Sequence, residues 1–260
     1  MPNTPMVAVF DTAFHQTMPA KAYMYGIPTE YYDKYQIRRY GFHGTSHRFV
    51  SGFAGDLLGK DKKIIVCHLG NGSSLSAVVN GKCVDTSMGL TPLEGVLMGT
   101  RSGDLDPAVV ECIANNENMT VTEVVTMLNK KSGFAGVSGV SSDMRDVWTA
   151  ANAGNQNAKL ALDMWAYRIT KYIGAYAAAM GGVDAIIFTA GIGENDWVAR
   201  AMVCEPLKFL GVEIDPKKND GQRASSPIVI SADTSKVTVM VIPTNEELAI
   251  ARDTLELCGK

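Results

Sequence analysis

Long apolar runs are missing from this 260-residue chain: no stretch approaches the ~18–20 consecutive apolar residues of a membrane helix, so no membrane partner is expected. The opening MPNTPMVAVFD also lacks the basic segment and small-residue cleavage site of a signal peptide. Cysteine is sparse. The five (Cys67, Cys83, Cys112, Cys204 and Cys258) are scattered, odd in number and without C-x-x-C spacing. That excludes a disulfide scaffold and fits reduced thiols in a cytoplasmic protein. Basic excess is missing too, with 24 Lys and Arg against 27 Asp and Glu. A pI near 5.8 argues against nucleic acid as a partner, because phosphate neutralisation needs clustered cations. There are no repeats, no H-E-x-x-H, no G-x-S-x-G elbow and no P-loop.

What remains is an ordinary globular composition, 46% hydrophobic and 20% charged, long enough for one large domain or two small ones. Apolar runs alternate with segments of helical period, which points to an α/β architecture. Met6–Phe10, Ile64–Cys67, Ser74–Val79, Lys82–Asp85, Asp184–Thr189 and Val237–Ile242 read as strands, with Asn80-Gly81 as a hairpin turn. Asp106-Pro107 opens one helix; Thr120-x-x-Glu123 is a capping box for another, with Gly133 closing it. The longest helix is expected from about Gln156 to Met180, with Leu162, Trp165, Ile169, Ile173 and Tyr176 on its buried face. Ala190–Gly193 reads as a turn leading to a helix from about Asn195, and Asn245–Leu257 as the last helix. An apolar strand without a partner at one end and an amphipathic helix without an obvious core at the other suggest that a domain is missing.

Four small-residue segments carry candidate chemistry, each with a plainer alternative. His68-Leu69-Gly70-Asn71-Gly72-Ser73-Ser74 offers backbone amides and two hydroxyls to a phosphate, or is simply a hairpin turn. Phe188–Asn195 brings a strand, a G-x-G turn and a helix start to one point, without the third glycine of a dinucleotide fingerprint. In Gly99–Asp106, Arg101 suits phosphoryl oxygens, or pairs with Asp104. In Gly41–His47, His43 and His47 are four apart but lack a third metal ligand, so one working histidine is the better reading. Asp11 ends a strand, Asp143-Met144-Arg145 wraps a ligand or caps a turn, and Glu246-Glu247 open the last helix, where acids need no further purpose.

Taken together, FDTAFHQTMP (10–19), YGFHGTSH (40–47), HLGNGSS (68–74), MGTRSGDLDP (98–107), SSDMRD (141–146), FTAGIGEN (188–195) and PTNEELAI (243–250) resemble the acetate and propionate kinase family, within the superfamily of actin-like, sugar kinase and heat-shock ATPases. The motifs run in family order across nearly the whole chain. The resemblance implies the carboxy-terminal domain of an actin-like (ribonuclease H-like) fold, a mixed sheet flanked by helices. It implies in-line transfer of the γ-phosphoryl of ATP to acetate, or to propionate, giving ADP and an acyl phosphate. By the same resemblance Asp11 is the active-site carboxylate, and His43 and Arg101 stabilise the transferring phosphoryl. Glu246 holds Mg²⁺ or Mn²⁺. ATP or ADP lies against His68, Leu69, Gly70, Asn71 and Gly72, Asp143, Met144 and Arg145, and Gly191, Ile192, Gly193, Glu194 and Asn195. Phe42 and Pro92 match positions beside the acyl group, and a homodimer is implied. Family members also carry an amino-terminal domain whose Asn-x-Gly-Ser-Ser-Ser phosphate turn, magnesium-contacting Asn and carboxylate-binding Arg have no counterpart here. Residues 12–245 are therefore expected to be a nucleotide-binding domain, with 1–11 and 246–260 belonging to the missing one. The chain alone is expected to be nearly inactive, or a nucleotide-binding, dimerising remnant.

Overall fold

Alternation along four strands divides the protein into two layers. A computed structural model describes residues 4–221 and 226–259. Its strands are β1 (Lys63–Leu69), β2 (Ser73–Val79), β3 (Lys82–Thr86), β4 (Ala185–Thr189), β5 (Ile228–Val229) and β6 (Thr238–Val241), in the sheet order β3-β2-β1-β4-β6-β5. β1, β4 and β6 run parallel; β2 and β3 fold back as antiparallel hairpin strands, and β5 pairs antiparallel with β6. Because strand side chains alternate with period two, Ile65, Cys67, Leu69, Leu75, Ala77, Ile186, Phe188, Val239 and Val241 join one core. Ile64, Val66, Val78, Ala185, Ile187 and Met240 join the other.

The helices are α1 (Ala20–Tyr23), α2 (Glu30–Tyr35), α3 (Gly44–Leu58), α4 (Ala108–Glu117), α5 (Val121–Lys130), α6 (Gly133–Ser138), α7 (Met144–Asn152), α8 (Gln156–Met180), α9 (Ala190–Asn195), α10 (Trp197–Cys204) and α11 (Glu246–Cys258). The first core is covered by α8, whose Leu162, Trp165, Ile169, Ile173 and Tyr176 are all buried, as its spacing predicts. Gly181 stops α8 in a left-handed conformation. The second core is covered by α3 through Val50 and Ala54. The Thr120–Glu123 capping box forms as expected, and Asn80-Gly81 makes the hairpin with both residues at positive φ.

Several expectations need correction. Met6–Phe10 forms no strand among the described residues: no sheet edge lies alongside it, and Met6 and Phe10 stay 94% and 70% exposed. The apolar alternation is there, but a strand exists only when its backbone groups find partners. Ala190–Gly193 is not a turn; it is the first part of α9, entered through Ala190 at positive φ. Gly133 does not close α5, which ends at Lys130. Instead Gly133 opens α6 at φ 61, where a Cβ would overlap the Met98 carbonyl and crowd the Arg101 backbone. The neighbouring Phe134 N–H donates to that same carbonyl at 2.8 Å. α3 was not expected as a helix at all.

The close contact at Gly133 gives a direct test of how the Arg101 loop is held. Gly133→Ala adds both a strained φ and an overlap, and should lower the unfolding free energy by about 2–4 kcal/mol. Urea titration of the two proteins measures this; a difference under about 0.5 kcal/mol would show that the loop yields freely.

Candidate active site

Parallel pairing sends the chain out of β1, β4 and β6 at one edge of the sheet, the carboxyl end where ligands bind in open α/β folds. The Gly70–Gly72 turn follows β1, α9 follows β4, and Thr244–Glu246 follows β6. Glu194 ties the last two together, its carboxylate accepting from Ala190 N–H (2.9 Å) and Thr244 N–H (3.1 Å). The buried Arg200 guanidinium donates to the carbonyls of Gly193 (2.9 Å) and Glu194 (3.0 Å), which fixes α9 from below.

Between these turns and α7 lies a cleft of about 780 Å³. Gly70, Asn71, Asp143, Met144, Arg145, Gly191, Ile192 and Asn195 line it, as do Ser142, Asp196 and Trp197, which sequence reasoning missed. Leu69 and Gly193 lie buried beneath its floor, and Glu194 points inward to the two amides just described. Asp143 caps α7 by accepting from Arg145 N–H, and its side chain also pairs with the Arg145 guanidinium; these contacts hold the Asp143 carboxyl down at about 2. The indole N–H of Trp148 donates to Asp196 at 2.8 Å, so the cleft's outer wall is pinned as well.

Next to the Gly70 and Asn71 lining of the cleft, Arg101 and His43 converge on Gly72. The point where a Cβ at Gly72 would sit is 3.3 Å from Arg101 Nη1 and 3.4 Å from His43 Nε2. Arg101 does not pair with Asp104, whose carboxylate accepts from Gly95 N–H and Tyr172 O–H instead. Its Nη1 donates to the Pro92 carbonyl (3.3 Å) and to Met98 Sδ (3.6 Å), and it has no ion pair among the described residues. A half-buried guanidinium with no counter-charge is suited to a planar or tetrahedral anion. Pro92 thus stands beside Arg101, and Phe42 beside His43, with the Phe42 carbonyl accepting from His15 Nε2–H at 3.0 Å.

His43 occupies the left-handed region (φ 58) just before α3, with its N–H donating to Asp11 Oδ2 at 2.7 Å. The next amide, Gly44 N–H, donates to the Asp11 carbonyl at 2.8 Å. A Cβ at Gly44 would overlap that carbonyl, so only glycine allows the clamp. Asp11 is thereby held at the amino end of α3, where the helix dipole favours its charge. Glu246, at the start of α11, feels Asp11: burial, then the Asp11 charge, then Glu247 push its carboxyl above the usual range. Two carboxylates that repel one another fit a divalent cation, and Mg²⁺ commonly takes one or two carboxylates, with water and phosphate oxygens completing its shell. No cluster of three protein ligands occurs among the described residues.

Both serine hydroxyls of this turn are engaged within the protein. Ser73 Oγ donates to the Gly70 carbonyl at 3.0 Å, tightening the turn. Ser74 Oγ points away from the cleft, between His43 Nδ1 (2.8 Å) and His47 Nε2 (2.7 Å). His68 faces the same side, since it pairs directly with Ser74 across the sheet. Its ring stacks on that of His43 with centroids 4.1 Å apart, and its Nδ1 meets Ser46 Oγ at 2.8 Å.

The chain matches the model of the acetokinase family over residues 1–252. It belongs to that family. It is 64% identical over 260 residues to an acetate kinase of Lachnoclostridium phytofermentans, covering 99% of this chain and 65% of the relative. It is 60% identical over 264 residues to one of Thermotoga maritima, covering 100% and 66%. The chain thus spans slightly under two thirds of these relatives' length. Its fold superposes on acetate kinase of Porphyromonas gingivalis (TM-score 0.93, 51% identity, 96% of this chain and 63% of that one). A propionate kinase of Francisella tularensis is also similar (TM-score 0.91, 47% identity, 97% and 64%). The mixed sheet is that of the actin-like ATPases, as the sequence resemblance implies.

The four histidine rings lie against one another, His43 facing Gly72 and the other three behind it, and burial pushes each below the usual imidazole range: His15 is lowered to about 4 and His68 to about 3, and His43 and His47 also fall. In the unfolded chain they titrate near 6.5. Below that pH the unfolded state binds protons that the folded state refuses, so stability drops from about pH 6.5 towards pH 4 for His15 and pH 3 for His68. His15 and His68 each contribute about 1.4 kcal/mol per pH unit within these windows. Urea unfolding should accordingly give a clearly lower free energy at pH 5 than at pH 7. Equal values would mean the rings are charged in the fold.

Proposed function

We propose that this chain carries the nucleotide-binding and phosphoryl-handling part of an acyl-phosphate-forming kinase. The reaction is transfer of the ATP γ-phosphoryl to acetate, with propionate as the alternative acceptor. The observation that carries this reading is the meeting of Arg101 and His43 Nε2 over Gly72, next in the chain to the cleft residues Gly70 and Asn71, with His43 bonded to Asp11 of the acidic pair. The family membership and the names of the relatives support it.

ATP is read as lying in the cleft, with its phosphates reaching the Gly70–Gly72 turn. The missing side chain at Gly72 leaves room for the transferring group to lie against both donors. A phosphoryl transition state spreads charge over its equatorial oxygens, so catalysis rests on positioning and on cationic or donor groups. Arg101 and His43 are suited to that. The acceptor is itself a carboxylate, ionised near neutral pH because its pKa is about 4 or a little higher, and it needs no general base. Asp11 therefore serves to orient the His43–Gly44 backbone and to help hold charge rather than to remove a proton. Glu246 and Asp11 are the residues that would hold Mg²⁺, which when bound neutralises phosphate charge. Phe42 and Pro92 offer apolar surface to the acyl methyl. We also read the chain as a cytoplasmic homodimer; the exposed Tyr167 and Phe209 offer apolar contact area, and among the described residues no helix is long and apolar enough to cross a membrane.

The test is acyl phosphate formation from acetate, ATP and Mg²⁺, trapped with hydroxylamine. It is run on this chain alone and on this chain supplied with the segment of the Lachnoclostridium relative that it does not match. Product is expected in the supplied reaction, with Arg101→Ala reducing the rate ~10²–10³-fold. If the supplied chain binds ADP but forms no acyl phosphate from acetate or propionate, the kinase reading fails and a nucleotide-binding remnant takes its place. In the same assay Gly72→Ala should cost at least ~10-fold in turnover with little change in melting temperature, because the methyl occupies the transfer position while its φ remains ordinary. A normal rate in that variant would move the transfer point away from Gly72.

A further inference from the structure

The hydroxyl of Ser74 lies between two histidines, and its single proton can serve only one of them. His43 Nδ1 is 2.8 Å away on one side and His47 Nε2 is 2.7 Å away on the other. His47 is fully buried, and its second nitrogen, Nδ1, has no partner among the described residues. A third arrangement, with both rings donating to Ser74 Oγ, would leave the buried hydroxyl proton without an acceptor among the described residues, so two arrangements that use that proton remain. In the first, His47 Nε2–H donates to Ser74 Oγ, and Ser74 O–H donates to His43 Nδ1. The unpartnered atom of His47 is then a lone pair, and His43 carries its proton on Nε2. In the second, both bonds reverse. His47 must then bury an unpartnered N–H, and His43 presents a bare Nε2 lone pair beside Arg101. Orphaned buried N–H groups are rarer in folded proteins than under-satisfied acceptors, which favours the first arrangement.

We propose that Ser74 and His47 are positioning residues that fix the tautomer of His43, so that its Nε2–H points as a donor at the anion position over Gly72. The purpose of that donor rests on the phosphoryl-transfer reading; the tautomer itself does not. Stacking by His68 fixes the plane of the His43 ring, and the Asp11 bond to His43 N–H fixes its backbone. Ser74 sets what remains, the choice of which nitrogen carries the proton. The arrangement follows from strand alternation, which turns Ser74 and its cross-strand partner His68 towards α3 and away from the cleft.

The chain contains four histidines, so long-range ¹H–¹⁵N correlation spectra of the ¹⁵N-histidine-labelled protein at pH 7.5 give four ring patterns. His43→Gln and His47→Gln identify two of them by loss. Wild-type His43 and His47 are both expected as single Nε2–H tautomers. Finding either as Nδ1–H overturns the proposal. In Ser74→Ala the His43 pattern should shift to values averaged between the two tautomers. His15, whose Nε2–H is held by the Phe42 carbonyl, should keep its pattern and report an intact fold. A His43 signal that stays purely Nε2–H in Ser74→Ala would remove Ser74 from the role. No substrate enters this experiment, so predicted tautomers in a chain that forms no acyl phosphate even when supplied with the unmatched segment would sink the kinase reading and leave this one standing.

Discussion

Three strands pairing in parallel is the constraint from which the site follows. A parallel pair cannot be closed by a tight turn, so each of β1, β4 and β6 must be separated from the next by a long excursion. The excursions of this chain hold Arg101, α7 and α10, yet each strand still delivers its last residue to the same edge. Groups as distant in sequence as Gly72, Gly191 and Glu246 therefore become neighbours without any of them being near another along the chain. The antiparallel β2 adds a return path from that edge. It places Ser74 opposite His68, and so gives the front of the site a back.

Period two then sorts the residues that touch ligand from those that hold them. Leu69 faces the α8 core, while His68 and Ser74 face α3, so consecutive residues of one motif have different duties. The α3 layer is polar where it meets the strand ends: Ser46, His47, His68, Ser74 and Thr244 share hydrogen bonds in a region that is otherwise Val50, Ala54, Val66 and Ile187. Buried polar groups of this kind are tolerable when they satisfy one another, and they specify geometry more narrowly than apolar contacts do.

Much of this was readable from the chain. The long α8, the hairpin at Asn80-Gly81, the capping box and the parallel core strands carry strong local signals, and the structure has them within a residue or two. The residues around the cleft were identifiable through the family resemblance of their motifs, since Gly- and Asn-rich turns at strand ends are by themselves ordinary. α3 was not readable, since GTSHRFVSGFAGDLL is rich in Gly, Ser and β-branched residues, and its N-cap side chain makes no capping bond. Its stability comes from packing on β1 and β4 and from the Asp11 clamp, which no window of sequence contains. Met6–Phe10 failed in the opposite sense, having strand-like residues and no strand beside it. Ser74 looked like a phosphate donor because nothing in HLGNGSS tells which serine faces the cleft.

The left-handed backbone at His43 complicates how any replacement there must be interpreted. A non-glycine residue in that region carries a conformational cost of about 1–2 kcal/mol, met by the two Asp11 contacts. Alanine at position 43 would delete the ring and keep the strain; glycine would delete the ring and release it; asparagine, which tolerates this region, keeps a polar side chain at little extra cost. Three apparently equivalent ring deletions would thus report three different mixtures of lost chemistry and altered loop energy. Asparagine is the comparison that comes nearest to isolating the imidazole.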